Sequence, residues 1–217
     1  MRGLFYCPFP STESRRRVQT CKHQWHLFVG FAIPRRFTAA AVDTAFVQVL
    51  DGQTGRSWFH EYPTDQFHAA TDRFDVTVGG NHFSSTGVTL NLPQLTGSIT
   101  YSTPLEPWPV TLTSPGIMGW YGLVPFMECF HGIVSFGHGL AGTLSIEGQP
   151  TSFDGGRGYI EKDWGRAFPA GYVWMHSNHF STDTEASLVA SVAIIPWLGG
   201  AFRGYIIGLR HGGRLYK

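Results

Sequence analysis

From Ala45 onward the chain breaks into short apolar or alternating segments, each closed by Gly, Pro, Asn or Asp, which leaves little room for long helices. The clearest unit is Phe46-Val47-Gln48-Val49-Leu50, then Asp51-Gly52-Gln53-Thr54-Gly55, then Ser57-Trp58-Phe59-His60-Glu61-Tyr62. A strand, a turn and a returning strand predict a hairpin. The same reasoning predicts strands at 74–78, 87–92, 97–102, 127–136, 140–147, 159–162, 172–180, 186–195 and 201–210. Composition agrees: 42% hydrophobic and only 14% charged residues, with 27 Gly and 13 Pro, favour strands and turns over helices. The expected fold class is all-β, an antiparallel barrel or sandwich. A chain of 217 residues is long enough to bury roughly 70% of its unfolded surface.

Residues 1–43 do not share this regularity. Arg15-Arg16-Arg17, scattered prolines and Thr38-Ala39-Ala40-Ala41 give neither a strand nor a helix period, so this segment is expected to be atypical or poorly ordered. At the other end Leu215-Tyr216-Lys217 still reads as strand, which suggests a chain cut short.

A formal net charge of +1, from 16 basic and 15 acidic residues, provides no field to gather nucleic acid or anionic lipid. Three widely spaced cysteines, Cys7, Cys21 and Cys129, argue against a disulfide framework and against a four-cysteine zinc site. His23 with His26, and His176 with His179, stand three apart, a spacing that suits a metal only on a helix, so no metal site is expected. The apolar run Leu27–Ile33 is far below the roughly 18 to 20 residues that span a bilayer, and no secretory signal order opens the chain. These features predict a cytoplasmic protein with no obligate protein partner, one that touches a membrane surface at most to collect a greasy ligand.

Ionisable and aromatic residues are densest from Gly158 to Phe180. Glu161-Lys162-Asp163 sit between apolar neighbours, where unpaired charges cost several kcal/mol, on the order of a lost buried ion pair. If Tyr159 to Asp163 is extended, Tyr159, Glu161 and Asp163 share one face, and the carboxyls lie about 6.8 Å apart along the strand. Excluding water from such a pair keeps one acid protonated near neutral pH, a proton donor. The plainer alternative is that each acid pairs with Lys162, Arg157 or Arg166 at a barrel rim. The next strand puts Trp174, His176, Asn178 and Phe180 on one face, which suits a pocket that holds an apolar ligand by one polar end, or a core face whose polar groups bond to nearby backbone. Glu128-Cys129-Phe130-His131 forms a third cluster in which Glu128 and His131 fall on opposite faces, so only one of them is expected at a site.

Tyr159, Glu161-Lys162-Asp163-Trp164-Gly165, Phe168-Pro169, Trp174 and Asn178-His179-Phe180 together resemble the signature of the tocopherol cyclase family. Further likeness lies in 45–52, 116–121 and 126–132, so the resemblance covers about Ala45 to the end. Nothing in 1–44 reproduces the segment with which family members open, and Asp163 stands where plant members tend to have Asn. The resemblance implies a lipocalin-like β architecture of two related lobes: 44–150 as the first, and 151–217 as the signature with the start of a second, incomplete one. It implies acid-catalysed closure of a prenylated quinol to a chromanol without a redox cofactor. Asp163 or Glu161 would then be the proton donor. Tyr159, Lys162, Trp164, Trp174, His176, Asn178, Glu128 and His131 would line the substrate site, with the indoles facing the cation and Asn178 or His176 orienting the phenol. Two other readings stay open: a lipocalin-like protein that binds a hydrophobic isoprenoid without converting it, and a purely structural ion network at residues 161–163.

Overall fold

A computed structural model describes the chain except residues 1, 11–23, 33–43, 53, 126, 128, 166–168, 181–182 and 198, and gives the backbone alone for 2–10, 24–32 and 44. In chain order the strands are β1 (Arg2–Pro10), β2 (Gln24–Ala32), β3 (Thr44–Asp51), β4 (Ser57–Pro63), β5 (Phe67–Ala69), β6 (Asp75–Val78), β7 (Asn81–Ser84) and β8 (Gly87–Leu92). They continue with β9 (Leu95–Tyr101), β10 (Cys129–Ile146), β11 (Gln149–Ser152), β12 (Gly156–Gly165), β13 (Tyr172–Ser177), β14 (Ser187–Trp197), β15 (Gly200–His211) and β16 (Arg214–Tyr216). Every described pairing is antiparallel.

The larger sheet runs β4-β3-β2-β1-β12-β10-β9-β8-β7-β6-β5, with β11 against β10, and β13 to β16 form a second sheet. A three-residue 3-10 turn, Thr64–Gln66, carries the chain from β4 at one end of the large sheet to β5 at the other. The sheet therefore curls until its ends approach, and Asn81 Nδ2 at the start of β7 donates to the Tyr62 hydroxyl of β4 across the seam at 3.2 Å. No ladder pairs β4 with β5 among the described residues, so the roll is not a closed barrel. Inside it lies one core, with Val47, Val49, Val78, Leu90, Ile99, Leu144 and Ile160 among its buried side chains. The opposite face of β10 and β12 meets the second sheet through Trp108, Ile133, Phe136, Tyr159 and Val189. Arg210 clamps the two layers by donating to Glu106 Oε1 at 2.8 Å, with its Nε in an ion pair 2.7 Å from Oε2. Trp108 fits there because position 208 lacks a side chain: a Cβ on Gly208 would stand 2.5 Å from its ring.

The hairpin expected over 46–62 is β3 and β4, with Phe46 opposite Glu61 and the turn fastened by a Thr54 hydroxyl donating to Asp51 at 2.6 Å. Two expectations are corrected. Within 1–43, where no strand period is visible, the backbone supplies β1 and β2, inserted between β12 and β3. Pro8 and Pro10 obscure β1 in the sequence, yet both lie beyond Arg2–Tyr6, the stretch that pairs with β12. Residues 127–136 and 140–147, read as separate strands, are largely one 18-residue strand, β10. The Gly137-His138-Gly139 break is instead a bulged stretch where the register against β12 shifts. His138 Nδ1 meets Ser135 Oγ at 2.9 Å, and this pair fastens the bulge. No described helix is long and apolar enough to cross a membrane.

Candidate functional site

β12 separates the two cores, and its alternation sorts the signature residues. Ile160, Lys162 and Trp164 project to one side; Tyr159, Glu161 and Asp163 project to the side that faces the second sheet. The sharing of a face by Tyr159, Glu161 and Asp163 is as the sequence predicts. Between the two acids, however, stands an imidazole. Antiparallel pairing sets His131 of β10 opposite Asp163 and Ile133 opposite Glu161. His131 Nδ1 lies 2.5 Å from Asp163 Oδ1, and its Nε2 lies 3.6 Å from Glu161 Oε2.

Glu161 is 5% exposed and accepts two hydrogen bonds at Oε2, from the Tyr159 hydroxyl at 2.6 Å and from Trp174 Nε1 at 3.1 Å. Burial dominates its titration and pushes the carboxyl up to about 7, against the His131 charge and the Tyr159 hydrogen bond, which favour the ionised form. Burial pulls His131 down, but the Asp163 hydrogen bond together with the Asp163 and Glu161 charges outweighs it, leaving the imidazole above its ordinary value. Cys129, two residues before His131, is pushed up to about 12 by burial and by the Asp163 charge, and so stays a neutral thiol. His176 stacks on the Tyr159 ring at 3.7 Å between centroids, and its Nε2 lies 3.4 Å from Ser187 Oγ, forming a layer behind the acid.

Because the Tyr159 hydroxyl stabilises the ionised carboxyl, Tyr159→Phe is expected to raise the Glu161 titration by roughly one unit. Difference infrared spectroscopy of the protonated carboxyl band across pH reads this directly, and an unmoved or lowered midpoint contradicts the arrangement.

Other signature residues go elsewhere. Lys162, expected to pair with a carboxylate, is exposed on the opposite face with its Nζ 4.7 Å above the Trp164 ring. Trp164, expected as a wall facing the cation, stacks on Phe130 at 5.5 Å on that same face, away from Glu161. A shift of one position along a strand reverses the face, which takes both residues out of the cluster. Asn178 is 4% exposed, lies past the end of β13, and spends its amide on the Gly158 carbonyl at 3.2 Å. Arg157, an alternative partner for the acids, instead pairs with Glu185 at 3.2 Å. Glu128 and Arg166 lie outside the described residues. The pairing of His131 with the acids is the feature that sequence reading missed, since it depends on which strand lies beside β12.

A family model described as tocopherol cyclase-like matches residues 99–217. The Oryza sativa subsp. japonica protein named "Probable tocopherol cyclase, chloroplastic" is 30% identical over 122 residues, 54% of this chain and 26% of that protein. The Zea mays protein named "Tocopherol cyclase, chloroplastic" is 29% identical over 103 residues, 46% of this chain and 22% of that protein. The chain thus spans about a quarter of the length of the curated relatives it matches. Kievitone hydratase from Nectria haematococca superposes with a TM-score of 0.61 at 15% identity, covering 99% of this chain and 63% of that one. A structure described as an AttH from Nitrosomonas europaea gives 0.58 at 13% identity, covering 99% and 67%. At such identities the likeness is one of fold, a lipocalin-like all-β architecture.

Proposed function

Since the chain belongs to the tocopherol cyclase-like family, we propose that its buried acid cluster protonates a prenyl double bond and so drives closure of a prenylated quinol to a chromanol. The observation that carries this reading is Glu161: a carboxyl that burial raises to about 7, so that a substantial fraction keeps its proton near neutral pH, held by an indole N–H and a phenolic hydroxyl. A neutral carboxyl is the group that alkene protonation requires, and few other side chains supply so strong an acid at pH 7. Its proton goes to the CH carbon of a trisubstituted double bond. Positive charge then develops on the tertiary carbon, and the π electrons of Trp174 and Tyr159 favour that charge. The phenol oxygen forms the new C–O bond and releases its proton.

Water reaching the same cation would give a tertiary alcohol, so closure depends on a dry site as much as on the acid. Ile133, Phe136, Trp108 and Val189, buried around Tyr159, supply apolar surroundings of that kind.

The test is incubation of the purified chain with a phytyl-substituted hydroquinone in D2O. The expected product is a chromanol carrying one deuterium per molecule, at the carbon beside the newly oxygenated centre. Recovery of unchanged quinol bound to the protein would replace this reading with ligand carriage, and a deuterated tertiary alcohol would replace it with hydration.

A further inference from the structure

Ring closure leaves a proton to be moved. Once Glu161 has protonated carbon it is a carboxylate, while the phenol oxygen that bonds to the cation sheds one proton; a second turnover needs a proton back on Glu161. His131 stands beside the acid with the geometry for this transfer. Its Nδ1 is engaged by Asp163 at 2.5 Å. Its Nε2 is buried, makes no hydrogen bond among the described residues, and has Glu161 Oε2 3.6 Å away. Side-chain exposure falls from 20% at Asp163 to 12% at His131 and 7% at Glu161, so the three groups form a file from the rim inward.

Building on the reading of Glu161 as the acid, we propose that His131, oriented by Asp163, is the base that takes the phenol proton at Nε2 and returns it to Glu161. The bonds balance. The alkene π bond and the phenol O–H break, C–H and C–O form, and the proton lost by oxygen rests on the imidazole before it reaches the Glu161 carboxylate. No oxidant or reductant takes part. Asp163 is a positioning residue: by accepting Nδ1–H it leaves the Nε2 lone pair facing inward, and its charge stabilises the imidazolium that forms.

The active state carries one proton shared between Glu161 and His131. Acid adds a second proton and removes the base; alkali removes the only one and removes the acid. The expected rate profile is therefore a bell. Around the pair, Tyr159 of β12 donates to Glu161, His176 of β13 stacks on Tyr159, and Cys129, two residues from His131 on its own strand, keeps a neutral thiol throughout this range.

Two measurements test the pair, one of them without substrate. In the full chain, nitrogen-15 NMR of the neutral His131 ring is expected to show the Nδ1–H tautomer with a bare Nε2; the Nε2–H tautomer overturns the proposal. With a phytyl-substituted hydroquinone, His131→Ala is expected to lower turnover about 100-fold, to lose the acid limb of the profile, and to regain part of its rate in added imidazole. Asp163→Asn, which keeps the ring, is expected to give a smaller loss and to move the acid limb. Turnover by His131→Ala at the parent rate, or a loss that imidazole does not relieve in a variant whose far-UV spectrum matches the parent, overturns the assignment. If the parent itself yields no chromanol, the cyclase reading fails whichever tautomer the ring shows, so the two failures are distinguishable.

Discussion

Glu161→Gln is expected to cut chromanol formation by roughly 10²- to 10⁴-fold, the range for loss of a positioned acid, while making the folded chain more stable at pH 8. The two effects have one cause. The Glu161 carboxyl titrates near 4.5 when free in water and at about 7 in the fold, mainly because burial penalises the charge. Between those values the folded chain holds a proton that the unfolded chain has released. Stability from this group is thus fully present below pH 4.5, and it is lost as pH rises through about 7. At about 1.4 kcal/mol per unit, the difference amounts to roughly 3 to 4 kcal/mol at most, reduced by the nearby imidazole when that is charged. An amide avoids the penalty and still accepts from Tyr159 and Trp174 through its carbonyl oxygen. Thermal melts of parent and variant at pH 5 and pH 8 decide the matter: the gap is expected to open at the higher pH. A gap of equal size at both would show that charge burial is not its origin.

The second large effect is expected at a residue with no side chain. A Cβ on Gly158 would lie 2.2 Å from His138 Nε2. The imidazole cannot step aside, being 2% exposed, hydrogen-bonded to Ser135 at 2.9 Å and packed on the Tyr101 ring at 4.2 Å between centroids. Burial, followed by the charge of Arg157, holds its titration down to about 3, so near neutral pH it carries no charge that would draw it toward water. Gly158→Ala is expected to cost about 3 kcal/mol, the upper end for overpacking a tight core. Because the clash belongs to one pair, His138→Ala combined with Gly158→Ala is expected to destabilise by clearly less than the sum of the single changes. Urea denaturation of the parent, both single variants and the double variant measures this, and strict additivity would locate the damage elsewhere.

What the sequence reveals of this protein is governed by the range of the signal. Period-two alternation is local, so it places Tyr159, Glu161 and Asp163 together on one face of β12. Glycines at 137 and 139 are local signals too, but ambiguous ones. They look like strand breaks, whereas the chain uses that stretch to bulge and continue. The partner of a strand is not local. β12 pairs on one side with β1, more than 140 residues away, and on the other with β10 across β11, with register shifts on the way, so nothing in Glu128-Cys129-Phe130-His131 announces that Asp163 lies opposite the imidazole. Lys162 and Trp164 fall outside the acid cluster for a related reason. A dense motif looks like one cluster when written in a line, but the strand deals its members to two sides.

That division makes β12 a party wall. Sliding it by one position against its neighbours would bring Ile160 and Lys162 round to the side of the second sheet and turn Glu161 toward the aliphatic interior of the roll. Both compartments would be spoiled by the same slip, one by an ammonium among rings and the other by a carboxyl in oil. Evolution can therefore exchange side chains along this partition one at a time, but it cannot add or remove a single residue within it without ruining the rooms on either side.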